Sequence, residues 1–313
     1  MTEISRKAAA LWGLETAACR FVAGRENQVF RLMDGHSAYA LRIRRPGLRN
    51  QLELLSELAW MQAMGAAGLD VPDPQISLQG NLLEIVEDHQ VDLVSWMDGT
   101  PIGQSAKPLA LDKPSEVFFE LGAALAKLHE ASDRFEPEAN FTRWHWDLDG
   151  LLGPDPLWGT FWDNPELDPE TANMLQAFRS RAVDHLARIS KNMDYGLIHA
   201  DPVRENVLWT GKRLQLIDFD DGGFGFRLFD IATALIKNTQ EPNYVDLRRN
   251  LIAGYLSCRS LDVSELDYFL ALRAVTYVGW IGPRMQEPGG SARHARFVRD
   301  ARLHCLKWLE RSQ

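Results

Sequence analysis

Between Leu197 and Asp221 four polar residues stand in an order that suits chemistry: His199, Asp201, Asn206 and Asp218. Any one of them alone would read as a turn former or a cap, because Asp and Asn in loops bond the nearby backbone. Their joint spacing is more informative. Asp201 and Asn206 are five apart in L-I-H-A-D-P-V-R-E-N, and Asp218 follows in L-I-D-F-D-D. Two short apolar runs, Val207–Trp209 and Leu214–Ile217, flank Thr210–Arg213, where Gly211 marks a turn, so a hairpin is expected. A hairpin folds the chain back and brings Asn206 at its start beside Asp218 at its end. Two oxygen ligands meeting there suit Mg²⁺, which takes few carboxylates and leaves positions for phosphate oxygens. Asp201 is then free to accept a proton from an attacking hydroxyl, and His199 braces the loop by hydrogen bonding. Phosphoryl transfer from ATP needs this inventory.

The rest of the chain must position that loop. Its 313 residues, 45% hydrophobic and 25% charged, suffice for two lobes with real cores. A net charge of −9 argues against nucleic acid as the main partner and favours a cationic substrate. The three cysteines, Cys19, Cys258 and Cys305, are scattered and odd in number, and read as free thiols in a reducing compartment. Arg6 and Lys7 precede an apolar run, Ala8–Leu14, too short for a signal core, and no run approaches the length of a membrane span. A cytoplasmic protein without membrane contact, monomer or homodimer, is expected.

A short helix is expected over 3–14, then strands at Cys19–Ala23, Gln28–Met33 and Tyr39–Arg44, separated by G-R-E-N and an Asp34–Gly35 turn. On a helix from Asn50 to Met64, Leu54, Leu58, Met61 and Met64 form an apolar stripe that also carries Glu57. A carboxylate on a core-facing stripe needs a cation, and Arg42 on the third strand is the candidate. Gln75–Leu78 and Leu82–Val86 read as a hairpin about Gly80. Helices are expected at Ser115–His129, Glu170–Ser190, Ile231–Ile236, Val245–Ser257, Ser264–Ile281 and Ala292–Glu310. His129 then reads as a cation at a helix C-terminus and Asp230 as an N-cap. Trp144, Trp146, Trp158 and Trp162 offer either an aromatic wall for a cation or packing for an irregular insert. Arg293, Arg296, Arg299 and Arg302 give the last helix a basic face, expected to be solvated.

The motifs H-A-D-P-V-R-E-N and I-D-F-D, with R-E-N-Q-V-F-R near the start, resemble those of the aminoglycoside phosphotransferase and type II homoserine kinase superfamily. The resemblance runs from about Arg25 to Trp280. It implies an α+β, two-lobed protein-kinase-like fold. The N-lobe would span 1–94 as a small antiparallel sheet with one helix, and the mainly helical C-lobe 95–313. The resemblance further implies ATP and Mg²⁺ as cofactors and a small-molecule hydroxyl as acceptor, on an amino alcohol or aminoglycoside-like compound. Asp201 becomes the catalytic residue, and Asn206 and Asp218 the metal ligands. Gly24–Asn27 would cover the ATP phosphates, bringing Asn27 into the nucleotide site. Arg42 stands where kinases carry a strand lysine, paired with Glu57. V-S-W-M, with Ser95 and Met97, resembles the hinge that meets adenine, and Arg204 offers a charge for the γ-phosphate. Two departures stand out: one glycine where protein kinases have several, and arginine in place of lysine. Two other readings remain, a Ser/Thr protein kinase of the bacterial stress-response type and a nucleotide-binding pseudokinase scaffold. No A-P-E segment follows Asp218, and Asp201, Asn206 and Asp218 are intact. A metallohydrolase built on His199 and Asp201 lacks further histidine ligands.

Overall fold

The strands Q-V-F-R-L-M-D and S-A-Y-A-L-R-I send successive side chains to opposite faces of a sheet, which sorts apolar from charged residues. The computed structural model describes residues 2–24 and 26–311, so Arg25, within the expected Gly24–Asn27 turn, lies outside the described residues. In chain order come α1 (Glu3–Ala10), β1 (Ala18–Gly24), β2 (Gln28–Asp34), β3 (Ser37–Ile43), α2 (Gln51–Ala66), β4 (Glu84–Val86), β5 (His89–Ser95) and β6 (Thr100–Pro101). Then follow α3 (Pro114–Arg134), β7 (Trp144–Trp146), α4 (Leu148–Leu152), α5 (Pro169–Ile189), β8 (Tyr195–Ile198), β9 (Val207–Trp209), β10 (Leu214–Leu216) and β11 (Gly223–Phe226). The last elements are α6 (Arg227–Ile236), α7 (Tyr244–Leu256), α8 (Leu266–Ile281) and α9 (Gly290–Arg311). The fold is α+β, antiparallel sheet first and helices later, as expected. Among the described residues no helix is long and apolar enough to cross a membrane. The chain divides into two compact units. One comprises Met1–Pro101, Arg134–Arg143 and Asn206–Asp220; the other comprises Ile102–Asp133, Trp144–Glu205 and Asp221–Gln313.

In the first unit the antiparallel sheet runs β1-β2-β3-β5-β4. Phe30, Leu32, Leu41, Ile43, Val91 and Leu93 meet Ala8 and Ala9 of α1 in one apolar cluster. Arg42 and Asp92, cross-strand partners between β3 and β5, alternate with those residues and so face the other side. The helix α2 starts at a capping box, in which Asn50 and Glu53 each accept the other's amide hydrogen. It buries Leu54, Glu57, Leu58, Met61 and Met64. A second small sheet, β10-β9-β6, holds the hairpin. Two elements differ from expectation. The helix α1 stops at Ala10, because Gly13 at φ +70 lets the Leu14 amide reach back to the Ala9 carbonyl at 3.0 Å. The hairpin expected about Gly80 is instead β4–β5. Ser77 Oγ accepts the amides of Gln79 and Asn81 and donates to Glu84 at 2.5 Å, folding that segment into a capped turn.

In the second unit α3 and α7 pack backbone to backbone. A Cβ on Gly122 would come within 1.9 Å of the Leu251 carbonyl, and one on Gly254 within 1.9 Å of the Phe119 carbonyl. Beside that crossing lies a buried polar chain. Asp230 sits inside α6, whose N-cap is Phe226, and is fully buried. An ionised carboxylate only accepts, so His129 Nε2–H donates to Asp230 at 3.0 Å and Nδ1 accepts the Tyr255 hydroxyl at 2.8 Å. Both sequence expectations change here. Asp230 caps no helix, and His129 is no cation, because burial lowers its pKa to about 4 against the opposing bond to Asp230.

That burial has a consequence for acid stability. Above pH 6.5 His129 is neutral in both states; between 6.5 and about 4 the unfolded chain binds a proton that the folded chain refuses. Stability therefore falls as pH drops through this window, by up to about 3 kcal/mol from this residue. Urea unfolding across that range should show the loss, and His129→Gln should flatten the slope. Identical slopes would remove His129 from the account.

Candidate active site

In the first unit the turn of the β9–β10 hairpin is set by Gly211 at φ +88 and by Thr210 Oγ1, which accepts the amides of Lys212 and Arg213. The Ile217 amide donates to the Asn206 carbonyl at 3.0 Å, so Asn206 and Asp218 bracket the closed end of the hairpin. The Leu216 amide bonds the Asp70 carbonyl at 3.1 Å and ties the hairpin to the chain leaving α2. Asn206 is buried and Asp218 exposed. Asp218 has φ +68, a left-handed conformation costing on the order of 1 kcal/mol outside glycine, of the sort found at functional sites. An amide oxygen and a carboxylate are hard donors that fit Mg²⁺. Among the described residues no three His, Cys, Asp or Glu gather into a metal cluster, so substrate phosphates and water would complete such a site.

The residues ending this hairpin are gripped by buried ions. Glu57 Oε1 accepts from Arg42 Nη1 at 2.8 Å and from Arg44 Nη2 at 3.0 Å. Asp92 accepts from Arg42 Nε at 2.6 Å and from Arg44 Nε at 2.7 Å. Arg44 Nη1 reaches on to Asp220 at 3.0 Å. Arg143 lies 3.9 Å from Glu57 Oε2 and donates to the carbonyls of Phe219 at 3.0 Å and Asp220 at 2.6 Å. Arg49 donates to the Asp220 carbonyl as well. Burial opposes the Glu57 carboxylate, but Arg44, Arg42 and Arg143 outweigh it and hold its pKa well below the usual range. Arg42 Nη2 is buried and makes no hydrogen bond among the described residues. A stranded guanidinium N–H is costly, and an anionic oxygen is the acceptor that suits it, so a nucleotide phosphate fits here. Asn27 Oδ1 accepts the Arg45 amide at 3.4 Å, and Ser95 Oγ accepts the Asp73 amide at 2.8 Å. Met97 is half-buried just beyond β5.

In the second unit β8 delivers His199 and Asp201. The Asp230 carboxylate accepts the amides of His199 at 2.9 Å and Ala200 at 2.7 Å. Ala200 is buried at φ +64, a conformation alanine holds only when its surroundings impose it. The Asp201 amide donates to His199 Nδ1 at 3.3 Å, so His199 does brace the loop. Arg273 Nη2 donates to Asp201 Oδ1 at 2.6 Å. Desolvation is the largest influence on the Asp201 carboxyl and moves its pKa upward, against Arg273, Lys237 and His199. An upward shift suits a general base. Arg204 is buried, with donors directed to Asn238 at 2.8 Å, the Lys107 carbonyl at 2.8 Å and Glu241 at 2.5 Å. The chain passes from the second unit to the first between Glu205 and Asn206, so Asp201 and Arg204 belong to one unit and Asn206 and Asp218 to the other.

The tryptophan-rich insert packs on the chain's own arginines. Arg273 lies 4.3 Å over the Trp158 ring, Arg179 lies 4.0 Å over Trp162, and Trp146 is buried. Sequence reasoning missed Arg44, Asp92, Arg143 and Arg273. Arg44 was legible, two residues past Arg42 and so on the same strand face. A lone arginine in L-A-L-R-A-V-T-Y-V was the signal for Arg273. Nothing local marks Arg143.

The phosphotransferase enzyme family matches residues 18–266. Amicoumacin kinase of Bacillus subtilis (strain 168) is 25% identical over 240 residues, 74% of this chain and 67% of that kinase. A microcompartment-associated aminopropanol kinase of known structure is 26% identical with a TM-score of 0.85, covering 98% of this chain and 97% of that one. An amicoumacin kinase solved with AMP-PNP and Ca²⁺ is 22% identical with a TM-score of 0.77, covering 95% and 92%, and shows the same fold.

Because Glu57 is shared, its loss should exceed that of one partner. Glu57→Ala removes the carboxylate that Arg42, Arg44 and Arg143 share and leaves Asp92 and Asp220 to offset them, and a cost of roughly 3–5 kcal/mol is expected. Arg42→Ala should cost less, since Glu57 keeps Arg44, and the double variant should fall short of the sum. Chemical denaturation of the three variants measures this. Strict additivity would mean the two side chains do not share the network.

Proposed function

The chain belongs to the phosphotransferase enzyme family, and on that premise we propose that it moves the γ-phosphoryl group of ATP to a hydroxyl of a small molecule. The observation carrying this reading is the closed hairpin, with Ile217 bonded to Asn206 and Asp218 held at φ +68. Asn206 and Asp218 would hold Mg²⁺, which when bound supplies charge neutralisation to the phosphate oxygens. Arg42, kept in place by Glu57 and Asp92, turns its remaining N–H toward an upstream phosphate, and Asn27, Ser95 and Met97 contribute to the nucleotide site. Arg204, whose nitrogens donate to Asn238, the Lys107 carbonyl and Glu241, keeps two further N–H groups to offer the γ-phosphate. Asp201 accepts the acceptor's hydroxyl proton as the oxygen–phosphorus bond forms and the bond to ADP breaks. An amino alcohol is the acceptor class favoured by the name of the aminopropanol kinase that this chain resembles. Three free cysteines support a cytoplasmic setting.

Asp201→Asn should lower turnover by roughly 10²–10⁴-fold while nucleotide affinity stays near wild type. Asp218→Asn should instead weaken Mg²⁺-dependent ATP binding. ADP release with a panel of amino alcohols, aminoglycosides and sugars, beside nucleotide titration with and without Mg²⁺, reads both. Wild-type turnover in Asp201→Asn would sink the base assignment, and phosphorylation of neutral sugars alone would overturn the amine.

A further inference from the structure

The second unit contains a cavity of about 560 Å³, inside the range of roughly 300–1,000 Å³ usual for small-molecule sites. Five cations line it: Lys107, Arg204, Lys237, Arg296 and Arg299. Two carboxylates oppose them, Glu241 and Asp300, so the wall carries three positive charges in excess (five less two) in a chain of net charge −9. Pairing accounts for three cations: Arg204 with Glu241 at 2.5 Å, Lys237 with Glu205 at 3.0 Å and Arg299 with Asp300 at 2.8 Å. Burial disfavours the Lys237 ammonium, but Tyr277, Glu205 and Asp201 outweigh it and keep its pKa above the ordinary value. Lys107 and Arg296 make no ion pair among the described residues.

The basic face of α9 therefore divides. Arg293 and Arg302 pair with Glu287 at 2.9 Å and Glu170 at 2.7 Å, whereas Arg296 and Arg299, three apart on the helix, line the cavity, Arg296 half-buried and Arg299 solvated as expected. Apolar wall comes from Tyr277 and Phe297, whose rings stack at 4.7 Å. Tyr277 also leads to the chemistry. Its hydroxyl accepts from Arg273 Nη2 at 3.1 Å, the same nitrogen that donates to Asp201.

We propose that this cavity binds an anionic group, a carboxylate or a phosphate, carried by the hydroxyl acceptor, a statement that rests on the reading that Asp201 meets that hydroxyl. Exposed Lys107 and half-buried Arg296 lack counterions, and cations so placed in a concave wall attract an anion and repel a polycation. The acceptor is then an alcohol bearing a negative group, read by Lys107 and Arg296, in addition to any amine.

Calorimetric titration of the full chain, saturated with Mg-ADP, tests this with 4-hydroxybutyrate, inorganic phosphate and the neutral 1,4-butanediol as probes. At least one anion should bind saturably, and which of them binds separates carboxylate from phosphate. The diol should not bind, and Lys107→Gln/Arg296→Gln should weaken anion binding by at least about tenfold. Thermal melting confirms that this variant folds, and Arg296→Gln alone replaces it otherwise. Absence of saturable anion binding, equal binding of the diol, or an unaffected variant overturns the proposal. Failure of ADP itself to bind overturns the kinase reading instead.

Discussion

Glu57 is a fully buried carboxylate, and an ion taken out of water must be paired or it unfolds its surroundings. Its partners come from distant parts of the first unit: Arg42 and Arg44 from the strand β3 and its end, and Arg143 from the segment after α3. Two of these, Arg44 and Arg143, also hold Asp220, two residues past Asp218. The strand β3, the helix α2 and the segment leaving the β9–β10 hairpin are thereby bound to one charge. Buried ion networks rarely add much net stability compared with apolar packing, because desolvation offsets most of the attraction. What this one supplies is geometry, since arginine forks accept few orientations. Four arginines, 42, 44, 49 and 143, and three carboxylates, 57, 92 and 220, take part in this network.

The second unit holds its loop in a different way. Asp230 accepts two consecutive backbone amides, and a neutral histidine completes its coordination. Hydrogen bonds from amides fix backbone direction, so they can hold Ala200 in a left-handed conformation that its side chain disfavours. Asp201 emerges from that strained turn against Arg273. The arginine is itself held by aromatic faces, with Trp158 and Tyr277 each 4.3 Å away. Trp158, Trp162 and Tyr277 are thus faced by the protein's own guanidinium groups. The lining of the cavity proposed for the acceptor is instead rich in charge.

Local signals carried much of this protein. The order of Asp201, Asn206 and Asp218 about a Gly211 turn was enough to foresee the hairpin and the pairing of its two ends, because turn chemistry is written in a few consecutive residues. Glu57 on an apolar stripe and Arg42 on an alternating strand were legible for the same reason: helical and strand periods assign faces. Periodicity assigns a face without saying what lies opposite it. The residues that complete the network, Asp92, Arg143 and Asp220, come together only when segments far apart in sequence pack, as do Arg273 and Asp201. His129 and Asp230 looked like helix-end residues because burial cannot be read from a helix terminus; tertiary packing made one a neutral donor and the other a clamp on two amides. Arg299 is exposed, as a run of arginines on a wet face suggests, whereas the docking of α9 against its neighbours leaves Arg296 half-buried at the cavity. Residue type and spacing thus determined the hairpin and the fold class, while the third dimension decided which charges are buried and which are shared, since desolvation depends on neighbours that no local pattern names.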